Sequence, residues 1–476
     1  MSLFVKKPLS KLLQDAEGEH ALKRTLGPLQ LILLGIGAII GAGLFSLTGI
    51  AAANHAGPAV VLSFIVAAVG CAFAGLCYSE FSTMIPIAGS AYTYSYATMG
   101  ELLAWIIGWD LVLEYAVGAA TVAVSWSRYV NSLCKDFGIT LPPHLVASPF
   151  AEQGALFNLP AIFIVVVISL LLIVGIQESA RVNAVIVVLK VSVVLLFIFV
   201  GWSYINPANY QPFIPPNTGA MGHFGWSGVV RAAGVVFFAF IGFDAVSTAA
   251  QETKNPQRDM PIGIIGSLAI CTILYVLFAH VLTGIVNYTQ LDDAAPVALA
   301  VDRTHYQWLK TAIKLAIIAG YSSVILVMLL GQSRVFYSMS RDGLLPKLFS
   351  EIHPKFRTPW RSNLLFMGFV GLFAALAPIQ LVGEMTSIGT LFAFVLVCIG
   401  ILVMRRTHPD LPRPFRTPLV PLVPILGIMA NLFLMGGLGV DNWLRLVIWM
   451  AIGLAIYFSY SRKKSHLGQT VSSLRH

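Results

Sequence analysis

The chain runs as long apolar stretches separated by short polar ones. A helix that crosses a bilayer needs about 20 predominantly apolar residues, rising 1.5 Å per residue. At that length the pattern predicts twelve spans, at 27–53, 58–83, 98–133, 159–176, 180–205, 225–250, 260–286, 307–340, 361–379, 381–404, 420–439 and 442–460. Two of them are irregular. The first contains GIGAIIGAG, with Gly35, Gly37, Gly41 and Gly43, and the sixth contains FFAFIGFDAVSTAAQE, centred on Gly242. In a helix interior each glycine costs roughly 1 kcal/mol relative to alanine, so both stretches predict interruptions where a spanning helix is ordinarily most regular.

The first and sixth spans stand five positions apart and therefore enter the membrane from opposite sides. A second five-helix unit starting at the sixth span is inverted relative to the first. Paired interruptions at corresponding positions of two halves point to the binding site of a secondary transporter. Unwound backbone in hydrocarbon leaves N–H and C=O groups without partners, at several kcal/mol each, so it persists only beside protein, water or ligand. Its N–H groups, with the positive end of the following half-helix, suit a carboxylate. Its carbonyls suit an ammonium. A zwitterionic amino acid offers both, and glycine lets it approach the backbone closely. The plainer reading is that Gly37 and Gly41 form a GxxxG of the kind that packs helices together. A dinucleotide loop is excluded, because the spacing is GxGxxxG and no strand–turn–helix surrounds it.

Composition supports the membrane reading. The 476 residues are 57% hydrophobic and 11% charged, with a mean hydropathy of +0.81, whereas soluble domains carry about 25% charged residues. The net charge of +9 does not indicate a nucleic-acid partner, because most basic residues sit in short loops. They gather before span 1 (Lys6, Lys7, Lys11, Lys23, Arg24), after span 8 (Arg341, Lys347, Lys355, Arg357, Arg361), after span 10 (Arg405, Arg406, Arg413, Arg416) and in the tail (Arg462, Lys463, Lys464). With twelve spans these all fall on one face, against chiefly Lys135, Arg303 and Lys310 on the other. The positive-inside rule then predicts that both termini are cytoplasmic.

The expected organisation is a cytoplasmic segment at 1–26, repeats at 27–205 and 225–404, two further helices within 420–460, and a cytoplasmic tail at 461–476. The N-terminal segment lacks the features of a signal peptide and reads equally as an amphipathic surface segment or a basic tail. Cys71, Cys77, Cys134, Cys271 and Cys398 show neither a disulfide framework nor metal spacing. No GxSxG, HExxH or Walker A pattern occurs, which argues against a membrane enzyme and against direct ATP coupling. No channel filter is visible either.

Five stretches carry a resemblance: GIGAIIGAGLF, GPAVVLSFIVAAVGCAFAGLCYSEF, GSAYTYSYATMGELLAWIIGWDLVLEY, FFAFIGFDAVSTAAQETKNPQRDMPIGI and SRDGLLP. Over roughly residues 25 to 465 the chain resembles bacterial members of the cationic amino-acid transporter family, within the amino acid–polyamine–organocation superfamily. The resemblance implies an all-α, leucine-transporter-type fold of twelve transmembrane helices. Five plus five form inverted repeats with broken first and sixth spans, and two C-terminal helices follow. It implies an L-amino acid whose carboxylate meets the backbone of Ile39, Gly41, Ala42 and Gly43. The ammonium would meet carbonyls near Ile39, Phe238, Ala239 and Ile241, with Phe238 closing over the substrate from outside. Ala42 departs from the hydroxyl residue often found in relatives, so no side-chain bond to the carboxylate is available there. Met328 maps to the span 8 wall beside the substrate side chain, although a packing or lipid-facing role fits the sequence as well. The implied setting is the cell's inner (plasma) membrane, with the lipid bilayer as surroundings, protons as coupling ion, and no metal or cofactor. Uptake and exchange remain alternatives, as do neutral and cationic substrates, and the oligomeric state is left open.

Charges inside the spans complete the candidates. Lys190 lies about ten residues into span 5, roughly 15 Å deep, and its side chain reaches only about 6 Å toward the interface. A lysine at that depth costs at least about 2.5–3.5 kcal/mol on insertion scales and reads as functional by default. Related sodium-driven transporters hold a cation between spans 1 and 8, and in this family a span 5 lysine resembles a substitute for it. Asp110 and Glu114 stand one helical turn apart on span 3, and Asp244 follows the break of span 6. They read either as a polar pocket or as satisfied structural carboxyls.

Overall fold

A computed structural model describes residues 5–8, 24–85, 90–175, 180–293, 295–467 and 469. Residues 1–4 and 9–23 lie outside it, and with them the choice between an amphipathic segment and a basic tail. So does the end of the tail, residues 470–476. The described residues form an all-helical protein, with one isolated extended pairing between Leu26 and Thr253. Eight helices are long and apolar enough to cross a membrane by length and composition, and four shorter apolar helices accompany them.

In chain order the helices are α1 (Pro28–Ile39), α2 (43–56), α3 (Val60–Met84), α4 (Ser90–Thr98), α5 (Glu101–Asp136), α6 (Leu159–Val174), α7 (Ala180–Trp202) and α8 (Gly225–Val236). After a 3₁₀ turn at Phe237–Phe240 come α9 (Phe243–Glu252, itself 3₁₀), α10 (Pro256–Ile285), α11 (Pro296–Asp302) and α12 (Gln307–Arg341). The chain closes with α13 (Trp360–Leu376), α14 (Ile379–Thr407), α15 (Leu422–Gly437) and α16 (Val440–Ile456).

The span expected at 27–53 is not one helix. Its first piece, α1, has 12 residues and reaches only about 18 Å. Its second piece, α2, continues into α3 as a 42-residue apolar helical run, Gly43–Met84. Straight, that run would measure about 60 Å, twice the thickness of a hydrocarbon core. It turns instead at Gly57, whose φ of +60° suits a residue without Cβ, and at the Pro58 that follows.

Close packing is built on glycines where α1 meets α10. A Cβ at Gly35 would lie 2.4 Å from Ser267 Oγ, and one at Gly263 would lie 2.6 Å from Leu31 Cβ. Part of GIGAIIGAG is therefore packing surface. The far end of the chain is held by indole donors on α5. Trp105 Nε1 donates to Gly453 O and Trp109 Nε1 to Trp449 O, each at 2.9 Å, and the Trp109 and Trp449 rings stack 4.6 Å apart. At the C-terminal end of α3, the fully buried Glu80 takes Arg405 at 2.8 Å and the Thr417 N–H at 2.8 Å. That cluster clamps the α14–α15 connection onto α3.

Candidate substrate site

Both irregular stretches are interrupted, and the residues at the interruptions are buried. α1 ends at Ile39, and Ile40 turns to extended backbone at φ −72°, ψ 107°. Helical backbone resumes at Ala42 with φ −61°, ψ −28°, and the N–H groups of Leu44 and Phe45 bond to Gly41 O at 3.2 and 3.3 Å. The N–H groups of residues 41–43 thus open a half-helix, where no intrahelical acceptor exists. In the sixth stretch, Ile241 is extended at φ −59°, ψ 135°, and Gly242 takes φ +112° before α9 begins. That left-handed conformation is one an L side chain rarely adopts.

The two breaks touch. A Cβ at Gly43 would sit 2.2 Å from Ala239 Cα and 2.4 Å from Ala239 N. A Cβ at Gly242 would sit 2.9 Å from Ala38 O. Gly41 differs: its nearest neighbour would be Val324 Cγ2 at 3.5 Å, an ordinary contact. The glycines of the opening stretch therefore divide their work. Gly35 packs on α10, Gly43 lets two backbones meet, and Gly41 leaves room.

Carbonyls left by the breaks converge as well. Tyr275, on α10, donates its hydroxyl to Ile39 O at 3.0 Å and to Ala239 O at 2.9 Å. Phe238 O accepts from Ile241 N at 3.2 Å. Ile39, Ala42, Phe238, Ala239, Ile241 and Met328 are all buried. An aromatic group packs beside the start of α2. Tyr129 donates to Phe45 O at 2.6 Å, the Ser46 and Tyr321 hydroxyls lie 3.0 Å apart, and Phe45 meets Phe278 edge-on at 5.7 Å.

Lys190 is buried on α7, and its Nζ donates to Gly37 O at 2.8 Å. Its stem lies across α12, where a Cβ at Gly320 would meet Lys190 Cε at 2.8 Å. The ammonium thus sits against the last turn of α1, just before the break. Met328 faces inward between helices, since a Cβ at Gly118 would lie 3.3 Å from its sulfur and 3.3 Å from Thr386 Cγ2.

The three acidic candidates are brought together. Glu114 faces Asp244, with Asp110 and Thr390 beside it, and Tyr115 donates to Asp244 Oδ2 at 3.3 Å. Asp244 occupies the first turn of α9, where a helix N-terminus favours negative charge. None of the ion pairs among the described residues involves these three carboxyls. Among the described residues, the oxygens of Asp110 and Glu114 are buried without hydrogen-bond partners of ordinary geometry.

Two hydroxyls at the site, those of Tyr275 and Tyr115, are not among the residues expected from the sequence. Tyr275 stands as one aromatic in the apolar run CTILYVLFAH, and only the fold aims its hydroxyl at both breaks. Tyr115 had a local signal, since it adjoins Glu114.

An all-helical bundle of membrane-crossing lengths, centred on two apposed helix interruptions, is an architecture for carrying a small polar solute across a membrane. The chain belongs to the amino acid permease family, whose sequence profile matches residues 26–459. It is 48% identical over 471 residues to the branched-chain amino acid permease BcaP of Bacillus subtilis, covering 98% of this chain and 99% of that one. It is 45% identical over 468 residues to a methylthioribose transporter of the same organism, covering 98% and 100%. A vacuolar cationic amino acid transporter 4 of Arabidopsis thaliana is 36% identical over 405 residues, covering 83% of this chain and 65% of that protein.

Proposed function

We propose that this permease takes up L-amino acids together with protons by alternating access. In this reading twelve spans cross the cell membrane with both termini cytoplasmic. Residues 27–205 and 225–404 form two inverted five-helix repeats, and 420–460 supplies the last two helices. The observation that carries the reading is the contact of the two breaks at a buried centre, with first-turn N–H groups at 41–43 and the Ile39 and Ala239 carbonyls beside them. The N–H groups take the substrate carboxylate, and the carbonyls take its ammonium. The backbone then reads the part common to all amino acids, while Met328 bounds the side chain and favours small or medium neutral ones. A branched-chain permease among the nearer relatives agrees with that size.

Lys190 supplies the coupling in this account. Protonated, it bonds to Gly37 O as a charged donor, an interaction worth about 1.5–3 kcal/mol, against about 0.5–1.5 for a neutral donor. Losing the proton therefore weakens the tie between α7 and α1 by about 1 kcal/mol and biases the bundle toward rearrangement. A second reading, exchange of cationic amino acids, draws on the buried Asp110, Glu114 and Asp244, which lack a basic partner among the described residues.

Reconstituted liposomes separate the two. Proton-coupled uptake requires leucine to accumulate when an inside-alkaline pH gradient is the sole driving force. Uptake that ignores the gradient and requires arginine or lysine inside would replace this reading with the exchanger.

A further inference from the structure

We propose that the Tyr275 hydroxyl is a stand-in for the substrate ammonium: it occupies the Ile39 and Ala239 carbonyls while the site is empty and yields them when an amino acid arrives. This rests on the reading that the two breaks hold an amino acid. Ile39 closes α1 and Ala239 lies in the 3₁₀ turn before the second break, so both carbonyls belong to helix ends whose acceptors lack intrahelical donors. They sit on separate interrupted segments, yet one hydroxyl reaches both, at 3.0 and 2.9 Å. A tyrosine has a single O–H proton, which here is divided between two acceptors. An ammonium has three donors and serves both carbonyls fully. Divided between two acceptors, the hydroxyl holds each of them weakly, so an ammonium that serves both can displace it. The ring stays in place whatever its hydroxyl does, because Phe64 and Phe240 pack against it at 5.5 and 5.3 Å.

Tyr275→Phe keeps that ring packing and deletes the donor. Both carbonyls are then unpaired in the empty protein and paired once an ammonium is bound. The variant should melt earlier than wild type when empty and recover most of the difference with leucine, so the leucine-induced shift in melting temperature grows. Leucine affinity should rise by about fivefold or more, the scale set by unsatisfied buried acceptors. 4-Methylpentanoate, which is leucine without its amine, should give the same small shift in both proteins. A permanent structural latch would lower the empty and leucine-bound melting temperatures equally and leave the shift unchanged. That result overturns the inference, as does a loss of leucine affinity. If the variant purifies poorly, leucine added throughout purification should restore its yield, and no restoration counts against the proposal too. A wild type that no amino acid stabilises would instead remove the reading beneath it.

Discussion

Adding one methyl group at Gly43 tests the contact on which the site is built. In Gly43→Ala the new Cβ would lie 2.2 Å from Ala239 Cα, 2.4 Å from Ala239 N and 2.6 Å from Ala239 Cβ. None of these atoms can rotate away, since two are backbone and the third is fixed to it. Ordinary carbon contacts lie at about 3.5–4.0 Å, so the breaks must separate by more than about 1 Å. Overpacking of this kind costs about 1–3 kcal/mol, equivalent to about 5- to 150-fold in an equilibrium. The separation also pulls the 41–43 N–H groups away from the Ala239 carbonyl, so one zwitterion no longer spans both. Leucine uptake by reconstituted protein, with leucine-dependent thermal stabilisation of the same sample, reads the effect. Gly371→Ala, on α13 and outside the site, is the matched control: its added Cβ would meet nothing within 4 Å, and it should retain wild-type uptake. Gly43→Ala with wild-type uptake, or Gly371→Ala equally damaged, would refute the argument.

Other positions give separate outcomes. Lys190→Ala should abolish accumulation driven by a pH gradient while counterflow persists; wild-type accumulation on pH alone would send the proton elsewhere, with Glu114 the next residue to test. Glu80→Ala removes the acceptor that Arg405 and the Thr417 N–H share inside the protein. Breaking such a buried pair costs about 3–5 kcal/mol, so its unfolding midpoint in detergent should fall clearly, and an unchanged midpoint would show that the cluster is idle. In a thermal-shift screen of the amino acids, leucine, valine and alanine should stabilise the protein more than arginine and lysine do. The reverse order would make the carboxyl group around Glu114 the side-chain pocket.

The sequence spoke most clearly where a local rule was broken. Glycines in an apolar run marked the break after Ile39, and a small-residue and polar interruption centred on Gly242 marked the other, because each conflicts with the regular helix around it. Lys190 was conspicuous for a similar reason, as a charge in the middle of an apolar run. Residues whose importance depends on where the fold carries them were harder to read. Tyr275 and the Trp105, Trp109 and Trp449 group look like ordinary apolar positions until α10 meets the breaks and α16 meets α5. Gly35 and Gly43 show the limit from the other side. As letters they are equivalent, yet one faces Ser267 and the other Ala239, and periodicity alone does not assign those partners. Run lengths placed most helices to within a few residues, but they gave no hint that 43–84 continues as one helical run turning at Gly57.

A structure determined with bound leucine tests the central claim most directly. The account predicts leucine between the breaks, its carboxylate within hydrogen-bond distance of N–H groups at 41–43 and its ammonium on the Ile39 and Ala239 carbonyls. Leucine found away from both breaks, for example beside Asp110, Glu114 and Asp244, would contradict it.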